Sequence, residues 1–568
     1  MVIIMSKINY SDWSNGDLIK ELEKFQAQKK YGLVWEDKPE GVAELCKEKL
    51  PVLIEDKSKE IISDKEHGTT NILIEGDNYH SLSVLNYTHK GKINAIYIDP
   101  PYNTGAKDWK YNNNYVDSED SYRHSKWLSF MTKRLKLAKN LLQNNGVICV
   151  TIDNYELYSL GLVMDEIFGE KNKIGIICVE HNPQGRTFSK YLSTTHEYYL
   201  FYAKNINYVK IQNLPIIDED IEKFKYKDAI SMYKRIPLQK SGFASRRKDR
   251  PTQFFPFYIN PKTLELSLDK KDKWDEIIPI NKFGEEGVWR NSFENCKKLI
   301  QNNDIDIVKR GNKYVLYKKY RIGLGKKPTT IWQGSRYMAS IHGASLLTKL
   351  LNGNDKFQFP KSLFAVEDSI KIMTTDKNAI ILDFFAGSGT TGHAVLELNQ
   401  KDGGMRKFIL CTNNENNIAE EVCYPRIKNV IKGYKLNNNE TVSGLSGNLK
   451  YFKTDFVDAK PTDSNKKKLV NRSTEMLCLK EECFDKIKEQ ETFRVYTNSK
   501  DKFLGIIYDD EGIEPFKKEL KKINKKNVVY VFSLDDSARE EEFEDVAELV
   551  ELRPIPAVIL NVYKRIFK

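Results

Sequence analysis

Two short segments of the chain combine residue types that could carry out chemistry. In the first, IYIDPPYNTG at residues 96–105, an apolar strand ends at Asp99 and is followed by Pro100, Pro101 and Tyr102. Proline lacks a backbone N–H, holds its own φ at about −65° and favours an extended conformation in the residue before it. The segment therefore predicts a stiff loop that presents a carboxylate, a backbone carbonyl and an aromatic ring, with an ordinary strand-ending turn as the simpler alternative.

The second segment, ILDFFAGSGTTG at residues 381–392, leads from an apolar strand into Asp383 and a loop that contains Gly387 and Gly389. Glycine lets a ligand approach the backbone closely, and the carboxyl edge of a parallel sheet is where such ligands bind. Gly387 and Gly392 have the spacing of a nucleotide-binding P-loop, but His393 stands where a P-loop has its lysine and Ala394 where it has Ser or Thr. The pattern therefore argues against triphosphate binding.

Acidic residues end or follow two apolar strands of this region. Asp383 precedes the glycine loop, and Glu415 follows the next strand, in FILCTNNEN at 408–416. An acid at this place in a doubly wound fold bonds ribose hydroxyl groups, while a solvated loop acid is the alternative for Glu415. Together the two acids predict a nucleoside ligand with a positive or amino-acid-like end.

The elements around these segments alternate between strands and helices, as in NILIEGDNYHSLSVLNY at 71–87, which predicts a parallel α/β sheet. This alternation is lost over a basic and aromatic stretch and returns near residue 379. We therefore expect a doubly wound, Rossmann-like sheet split by an inserted domain. The predicted regions are a helical N-terminal region (1–65), the first half of the sheet (66–205), the insert (206–345), the second half (346–440), and a linker with a small α/β C-terminal domain (441–568).

Composition limits the remaining possibilities. The chain has 568 residues, a net charge of +11 and 8 cysteines, none of them in a CxxC pair. No apolar run is long enough to cross a membrane, and no histidine lies at a zinc-binding spacing. We expect reduced thiols, a cytoplasmic location, no metal site and a polyanionic partner.

The segments DPPY at 99–102 and DFFAGSGTT at 383–391, in this order, resemble the β-class of S-adenosylmethionine-dependent DNA amino-methyltransferases. In that class the target-recognition region lies between the two halves of the catalytic sheet. Further stretches, such as ILIEGDNYHSLSVL (72–85) and FQFPKS (357–362), resemble the adenine-N6 members, and above all the modification (Mod) subunits of type III restriction–modification systems. The resemblance is strong over residues 70–440 and weak at the ends.

The resemblance implies S-adenosyl-L-methionine as the cofactor and assigns contacts to it. Asp383, Phe384, Gly387 and Gly389 are expected to shape the pocket, Thr390 and Lys361 to lie near the methionine carboxylate, Glu415 to hold the ribose, and Asp77 to lie near the cofactor adenine. For Asp77, a helix N-cap is the alternative.

The same resemblance implies that Asp99, Pro100, Pro101 and Tyr102 face the target base. The amine of adenine is a poor nucleophile because its lone pair is shared with the ring. Two acceptors, the Asp99 carboxylate and the Pro100 carbonyl, draw the nitrogen towards tetrahedral geometry and stabilise the developing charge. Tyr102 offers a face on which a flipped base stacks, and the activated methyl group requires no metal. Members with Asp at the first position mostly methylate adenine N6, so adenine is expected rather than cytosine N4.

The inserted region contains a basic run, SMYKRIPLQKSGFASRRKDR at 231–250, which is followed by aromatic residues. Phosphate contacts by Lys and Arg give affinity for DNA. Arg246, Arg247 and Arg250 are therefore candidate DNA-binding residues, with a solvated basic face as the alternative.

These expectations combine into a site-specific adenine-N6 methyltransferase that flips its target base out of double-stranded DNA, as the modification and recognition subunit of a type III system. A homodimer and a restriction (helicase–nuclease) subunit are the expected assembly. The C-terminal domain, with nearly equal numbers of basic and acidic residues, is expected to contact protein or, alternatively, to stabilise the sheet as a lid. A solitary adenine-N6 or cytosine-N4 methyltransferase and a non-catalytic nucleic-acid-binding protein are the other hypotheses.

Overall fold

The computed structural model describes residues 14–19, 35–63, 69–185, 191–216, 218–281, 283–353, 356–436, 440–498 and 501–567. They form two compact units, a large unit within Met1–Ile211 and Thr329–Lys568 and an inserted unit within Gln212–Pro328. The insert is thus shorter than the predicted 206–345. One reason is that Ile331–Trp332 forms a strand of the large unit's main sheet.

The strands before the insert are β1 (Lys49–Glu55), β2 (Thr70–Glu75), β3 (Ile93–Ile98), β4 (Ala106–Tyr111), β5 (Asn114–Asp117), β6 (Leu142–Ile152), β7 (Lys173–Glu180) and β8 (His196–Ala203). Those of the inserted unit are β9 (Tyr226–Lys227), β10 (Met232–Pro237), β11 (Phe257–Ile259), β12 (Leu266–Ser267), β13 (Asp275–Ile277), β14 (Ile305–Arg310) and β15 (Lys313–Arg321). Those after it are β16 (Ile331–Trp332), β17 (Ile380–Asp383), β18 (Lys407–Thr412), β19 (Gly433–Lys435), β20 (Thr441–Ser443), β21 (Asn448–Asp458), β22 (Asp485–Glu489), β23 (Phe493–Thr497), β24 (Phe503–Ile507), β25 (Asn527–Phe532) and β26 (Val550–Ile555).

The helices are α1 (Gly41–Glu48), α2 (Asn78–Thr88), α3 (Arg123–Leu141), α4 (Leu157–Phe168), α5 (Asp218–Ile221), α6 (Phe293–Gln301), α7 (Leu346–Leu350), α8 (Leu363–Met373), α9 (Thr390–Asp402), α10 (Tyr424–Lys432), α11 (Asp463–Asn471), α12 (Thr474–Glu481), α13 (Ile513–Ile523) and α14 (Ala557–Ile566). Within the part of the chain that the structure describes, no helix combines the length and the apolar character needed to cross a membrane.

A ten-stranded sheet in the order β1-β21-β2-β18-β17-β3-β6-β8-β7-β16 forms the centre of the large unit. The six strands from β21 to β6 run parallel, while β8 is antiparallel to both of its neighbours. β3, with the sequence INAIYI, is almost wholly buried, as expected for a parallel strand that is covered on both faces. The sheet confirms the predicted α/β, Rossmann-like fold.

The main sheet takes strands from more of the chain than predicted. β1 lies within the region 1–65 that was expected to be helical, and it pairs antiparallel with β21, which lies within the predicted linker and C-terminal region. The sequence of β1, KLPVLIE, buries its apolar centre against the core. An edge position suits this strand because Pro51 cannot donate a backbone hydrogen bond.

The C-terminal residues form a second sheet, β22-β23-β24-β25-β26. Their helix α14 packs against α2, and the hydroxyl of buried Tyr563 donates to the carbonyl of Pro51 at 2.5 Å. Leu477, Ile506 and Ile559 belong to the same continuous apolar core as the main sheet. This region is therefore an integral part of the large unit, which favours the stabilising alternative over a separate protein-binding appendage.

The inserted unit has two small sheets, β14-β15-β10-β9 and β12-β11-β13, together with α6. Both sheets are antiparallel. Its apolar cluster includes Leu238, Phe257, Trp289 and Leu316, all buried. The unit thus has a core of its own.

Candidate active site

Three neighbouring parallel strands have an acidic residue at or just beyond the same end. Asp99 directly follows β3, Asp383 is the last residue of β17, and Glu415 lies shortly after β18. β17 pairs with β3 on one side and with β18 on the other. The chain winds away in opposite directions from β17 and β3, and ligands bind at such a point in open α/β sheets.

The DPPY loop is held by side chains from two other elements. Oγ1 of Thr151, on β6, donates to Oδ1 of Asp99 at 2.5 Å. Nε1 of the fully buried Trp127, on α3, donates to the carbonyl oxygen of Pro101 at 2.7 Å. The loop is thus fixed by its neighbours as well as by its two prolines.

The residue after the motif, Asn103, is fully buried and has a φ of 57°. Its Nδ2 donates to Oε1 of Glu156 at 2.5 Å, and its Oδ1 accepts from Nε1 of Trp109 at 3.0 Å. His124 contacts the same Glu156 oxygen at 2.5 Å. Asparagine tolerates the left-handed region better than other non-glycine residues, so this anchored Asn103 sets the turn that leaves the motif.

An ion cluster surrounds the first and last residues of the DPPY motif. Nζ of Lys361 lies 3.1 Å from Oδ1 of Asp99 and 2.5 Å from Oε2 of Glu197, and it also donates to the hydroxyl oxygen of Tyr102. The Tyr102 hydroxyl in turn donates to Oε2 of Glu197 at 2.9 Å. Lys361 was expected at the methionine end of the cofactor. Its ammonium group contacts the DPPY motif and Glu197, and a contact with the cofactor stays a prediction.

The charges of this cluster stabilise one another. Burial acts to lower the pKa of Lys361, but the carboxylates of Asp99 and Glu197 outweigh it and raise that pKa above its usual value. Burial acts to raise the pKa of Glu197, but the charge of Lys361 and smaller contributions hold it below its usual value. Burial and the two carboxylates raise the pKa of Tyr102 well above its usual value. Two carboxylates and one ammonium group leave the cluster with one net negative charge.

The Asp383 carboxylate joins the start of the glycine loop to the first turn of α9. Its Oδ1 accepts from the backbone N–H of Phe385 at 2.9 Å, and its Oδ2 accepts from Oγ1 of Thr391 at 2.5 Å. Burial raises the pKa of Asp383 to about 7, with a smaller contribution from the charge of Asp99, while the two hydrogen bonds act in the opposite direction. Phe384, which follows Asp383, is buried.

The backbone conformation of the loop favours glycine at both predicted positions. Gly387 has a φ of +49° and Gly389 a φ of +78°, both in the left-handed region. A Cβ on Gly389 would lie 3.1 Å from Sγ of Cys423, and one on Gly387 would lie 3.0 Å from the ring of Phe357. Gly389 thus allows the close packing of the loop on the segment before α10. Direct contact of either glycine with a cofactor stays a prediction.

A buried arginine lies behind the start of α9. Nη1 of Arg426, which is fully buried, donates to Oγ1 of Thr390 at 2.8 Å and to Oγ of Ser388 at 3.1 Å. Burial lowers the pKa of this guanidinium to about 10. The hydroxyl of Thr390, expected near a cofactor carboxylate, is therefore oriented by Arg426.

Asp77 caps a helix, as one of the two sequence interpretations proposes. It is the N-cap of α2, and its Oδ1 accepts from the backbone N–H of Tyr79 at 2.7 Å. The same oxygen lies 3.3 Å from Nη2 of the fully buried Arg134. The next residue, Asn78, donates to the carbonyl of Phe384 at 3.0 Å and so joins α2 to the glycine loop. The cap leaves the predicted contact with a cofactor adenine untested.

Glu415 is one-third exposed and forms an ion pair with Lys110, at 2.5 Å between Oε1 and Nζ. The side chain is thus neither freely solvated nor committed to a buried partner. A ribose contact stays a prediction for Glu415.

A protein-family model described as DNA methylase matches residues 93–422, more than half of the chain. The chain belongs to this family of DNA methylases. The match spans both the DPPY loop and the glycine loop.

Curated relatives of this methylase include restriction–modification proteins. The EcoPI Mod subunit of the type III restriction–modification enzyme of Escherichia phage P1 is 33% identical over 433 residues, which cover 70% of this chain and 66% of the relative. The type II methyltransferase M.KpnI of Klebsiella pneumoniae is 33% identical over 395 residues, covering 69% and 90%. The StyLTI Mod subunit of Salmonella typhimurium is 30% identical over 431 residues, covering 68% and 62%. The methylase thus spans just under two thirds of the length of these two Mod subunits.

Sequence reasoning missed several polar residues of the methylase site. Glu197, Thr151, Arg134 and Arg426 are each buried and each contact a motif residue or the residue next to it. The available signal was a charged or polar side chain inside an otherwise apolar element, such as the glutamate of HEYYLFYA. Among the described residues, no cluster of His, Cys, Asp or Glu could hold a metal ion.

Two arginines of the basic run in the inserted unit form ion pairs with glutamates, so this surface carries less net positive charge than the run alone suggests. Nε of Arg246 lies 3.4 Å from Oε2 of Glu285, and Nη1 of Arg247 lies 3.0 Å from Oε2 of Glu286. All four side chains are about half exposed. The third predicted DNA-binding residue, Arg250, is also exposed. Both acids lie outside the basic run, which is why a count along the run misses them.

Proposed function

We propose that this DNA methylase transfers a methyl group from S-adenosyl-L-methionine to N6 of adenine at specific sites in double-stranded DNA, in the cytoplasm. The observation that carries the proposal is the Asp99 carboxylate, which is fixed by Thr151 and Lys361 at the end of β3. Thr151 and Lys361 both contact Oδ1 of Asp99. We propose that Oδ2 accepts the hydrogen bond from the target amine.

The residues of the crevice fit the proposed cofactor. S-adenosyl-L-methionine carries a nucleoside, an amino-acid end and a positive sulfonium. Asp383 and Glu415 end or follow adjacent strands, where acids bond ribose and cationic groups. When bound, the cofactor supplies a methyl group attached to a positively charged sulfur. After the transfer the sulfur is that of a neutral thioether.

The chain's own residues act on the target base. Asp99 and the carbonyl of Pro100 accept hydrogen bonds from the amine, which concentrates its lone pair on nitrogen and stabilises positive charge there. N6 gains the methyl group and releases one of its two protons to solvent water, so the methylated amine is neutral. Pro101 keeps the loop rigid, and the ring of Tyr102 stacks on a base turned out of the duplex.

The catalytic assignment is tested by Asp99→Asn, which keeps the size of the side chain but removes its charge. We expect methyl transfer to duplex DNA to fall by about 100-fold or more, the range seen for loss of one such electrostatic contact. The dissociation constant for S-adenosyl-L-methionine, measured by calorimetry, should change by less than about tenfold, because the proposed contact of Asp99 is with the target amine and not with the cofactor. Asp165→Asn on α4, whose carboxylate bonds Tyr202, is the matched control.

Mass spectrometry of nucleosides from the methylated DNA identifies the product. N6-methyladenine supports the proposal, and N4-methylcytosine contradicts the choice of base. Wild-type turnover by Asp99→Asn would remove Asp99 from the mechanism. Absence of any methylated base with the wild-type chain would contradict the proposed function.

We propose that Arg246, Arg247 and Arg250 contact DNA phosphates. Exposed ion pairs contribute about 0–1 kcal/mol, so phosphates can displace Glu285 and Glu286. Replacement of the three arginines by Ala should weaken DNA binding and reduce the log–log salt slope by about 0.9 for each lost phosphate contact.

The paired acids provide a test of opposite sign. Glu285→Gln with Glu286→Gln frees both arginines and should tighten DNA binding. Unchanged affinity and slope in both sets of variants would show that this surface does not touch DNA.

We further propose that the methylase acts as the modification subunit of a type III system, as a homodimer with a restriction (helicase–nuclease) subunit. Support comes from the two similar Mod subunits. Light scattering on the purified chain and co-purification with a restriction subunit encoded beside it test both points. A monomer that captures no such subunit would favour a solitary methyltransferase.

A further inference from the structure

Glu197 is a buried carboxylate next to the catalytic motif, and the mechanism above gives it no role. It lies on β8 and is only 4% exposed. Its Oε2 accepts from Nζ of Lys361 at 2.5 Å and from the hydroxyl of Tyr102 at 2.9 Å, and its Oε1 accepts from the hydroxyl of Tyr199 at 3.3 Å. Three donors from three separate parts of the chain thus converge on this one side chain.

Lys361 links Glu197 to the residue that accepts the target amine. Its Nζ lies between the two carboxylates, 2.5 Å from Glu197 and 3.1 Å from Asp99. Tyr102 is joined to the same pair, because its hydroxyl contacts both Lys361 and Glu197. The first and last residues of the DPPY motif are therefore both oriented by one cluster.

We propose that Glu197 is a positioning residue for methyl transfer: through Lys361 it fixes the Asp99 carboxylate, and through the Tyr102 hydroxyl it fixes the ring on which the target base stacks. This inference rests on the proposed function. Glu197 itself contacts neither the base nor the reacting nitrogen.

Stability alone does not explain the cluster. Burying an ion pair costs desolvation, and apolar side chains of similar volume are often equally stable or more stable. β8 is otherwise apolar or aromatic through its buried part, so an uncharged residue would suit its core position. The charge of Glu197 has a further consequence, since without it Lys361 would neutralise Asp99 and remove the cluster's net negative charge. That charge favours the positive charge that develops on the amine.

Glu197→Gln tests the proposal because it retains the volume and one acceptor oxygen while it removes the charge. We expect the single-turnover methylation rate to fall by about 10–100-fold, the range of one hydrogen bond to a charged group. Affinities for S-adenosyl-L-methionine and for duplex DNA should stay within about threefold, since Glu197 touches neither.

Tyr202→Phe is the matched control for a merely structural effect. Tyr202 is buried on the same strand, but its hydroxyl donates to Asp165 at 2.6 Å, away from the motif. The variant Tyr202→Phe should lower the melting temperature and leave the single-turnover rate unchanged. Glu197→Asp retains the charge on a shorter side chain and should recover part of the rate lost in Glu197→Gln.

A double-mutant cycle with Tyr102→Phe separates positioning from general damage. If Glu197 acts in part through the Tyr102 hydroxyl, the double variant should lose clearly less rate than the product of the two single losses. Multiplicative losses, or a normal rate in folded Glu197→Gln, would overturn the inference while leaving the proposed function intact. A fall in affinity that accounts for the whole rate loss would also overturn it, and a wild-type chain without methyl transfer would overturn both.

Discussion

Asp383 should make the stability of the free protein depend on pH. Its carboxyl group is 3% exposed, and burial raises its pKa to about 7. In the unfolded chain the pKa of an aspartic acid is about 3.9. The folded protein therefore binds a proton at Asp383 over a pH range in which the unfolded chain has already released it.

The sign and size of the effect follow from this difference. Because the folded state binds more protons between about pH 4 and pH 7, the free energy of unfolding falls as the pH rises through that window. A pKa difference of about 3 corresponds to about 4 kcal/mol, and the loss is complete above about pH 7. The two hydrogen bonds from Phe385 and Thr391 do not cancel it, because burial is the largest influence on this carboxyl group.

Asp383→Asn should remove this dependence. An asparagine oxygen can accept from the N–H of Phe385, and its amide can donate to the Thr391 hydroxyl, so the loop connections are kept. We expect the variant to be more stable than the wild type by up to about 4 kcal/mol at pH 8 and by little at pH 4. Its affinity for a cationic cofactor should fall, because an ionised Asp383 favours a positive ligand.

The measurement is urea unfolding of the ligand-free protein from pH 4 to pH 8, with the difference between variant and wild type plotted against pH. Asp501→Asn, at a side chain that is 80% exposed, makes the same charge change outside the core and is the control. A difference that does not grow with pH, or one equal to that of the control, would refute the assignment of a raised pKa to Asp383.

Three further outcomes test the supports of the site. Trp127→Phe removes the donor at 2.7 Å from the partly buried carbonyl of Pro101, and should cost about 1–3 kcal/mol and reduce turnover more than cofactor affinity. Unchanged turnover in a folded variant would show that the loop does not depend on this bond. Gly389→Ala should lower the melting temperature more than Gly403→Ala. Both positions have positive φ, but only at residue 389 would the new Cβ lie 3.1 Å from Sγ of Cys423. Equal losses would leave backbone strain alone as the cause. Deletion of residues 557–567 should expose the shared core and lower the melting temperature of the large unit, and a truncated chain that melts like the full one would restore the C-terminal region as an independent appendage.

The local parts of the site could be predicted from sequence because each is encoded in a short stretch. An apolar run that ends in Asp99 and two prolines, and another that ends in Asp383 before a glycine loop, specify strand ends and loops without distant information. In a parallel sheet the carboxyl ends of the strands point the same way, so both loops were expected at the same end of the sheet. That they are neighbours follows from the pairing of β17 with β3. The α/β fold and the position of the crevice follow from those patterns.

The partners of those motifs depend on contacts between residues far apart in the chain. Lys361 and Glu197 are separated by 164 positions. Which carboxylate the ammonium group meets is decided only when β8 joins the sheet two strands from β3 and α8, which follows Lys361, packs against β3. The pairing of β1 with β21 is equally non-local, since either apolar run could occupy other edges of the sheet. The same holds for Arg246 and Arg247, whose charges are paired by acids from a later part of the chain. A sequence pattern records the type of side chain and its local conformation; its electrostatic environment is set by the tertiary structure, because charge interactions act through space and depend on burial.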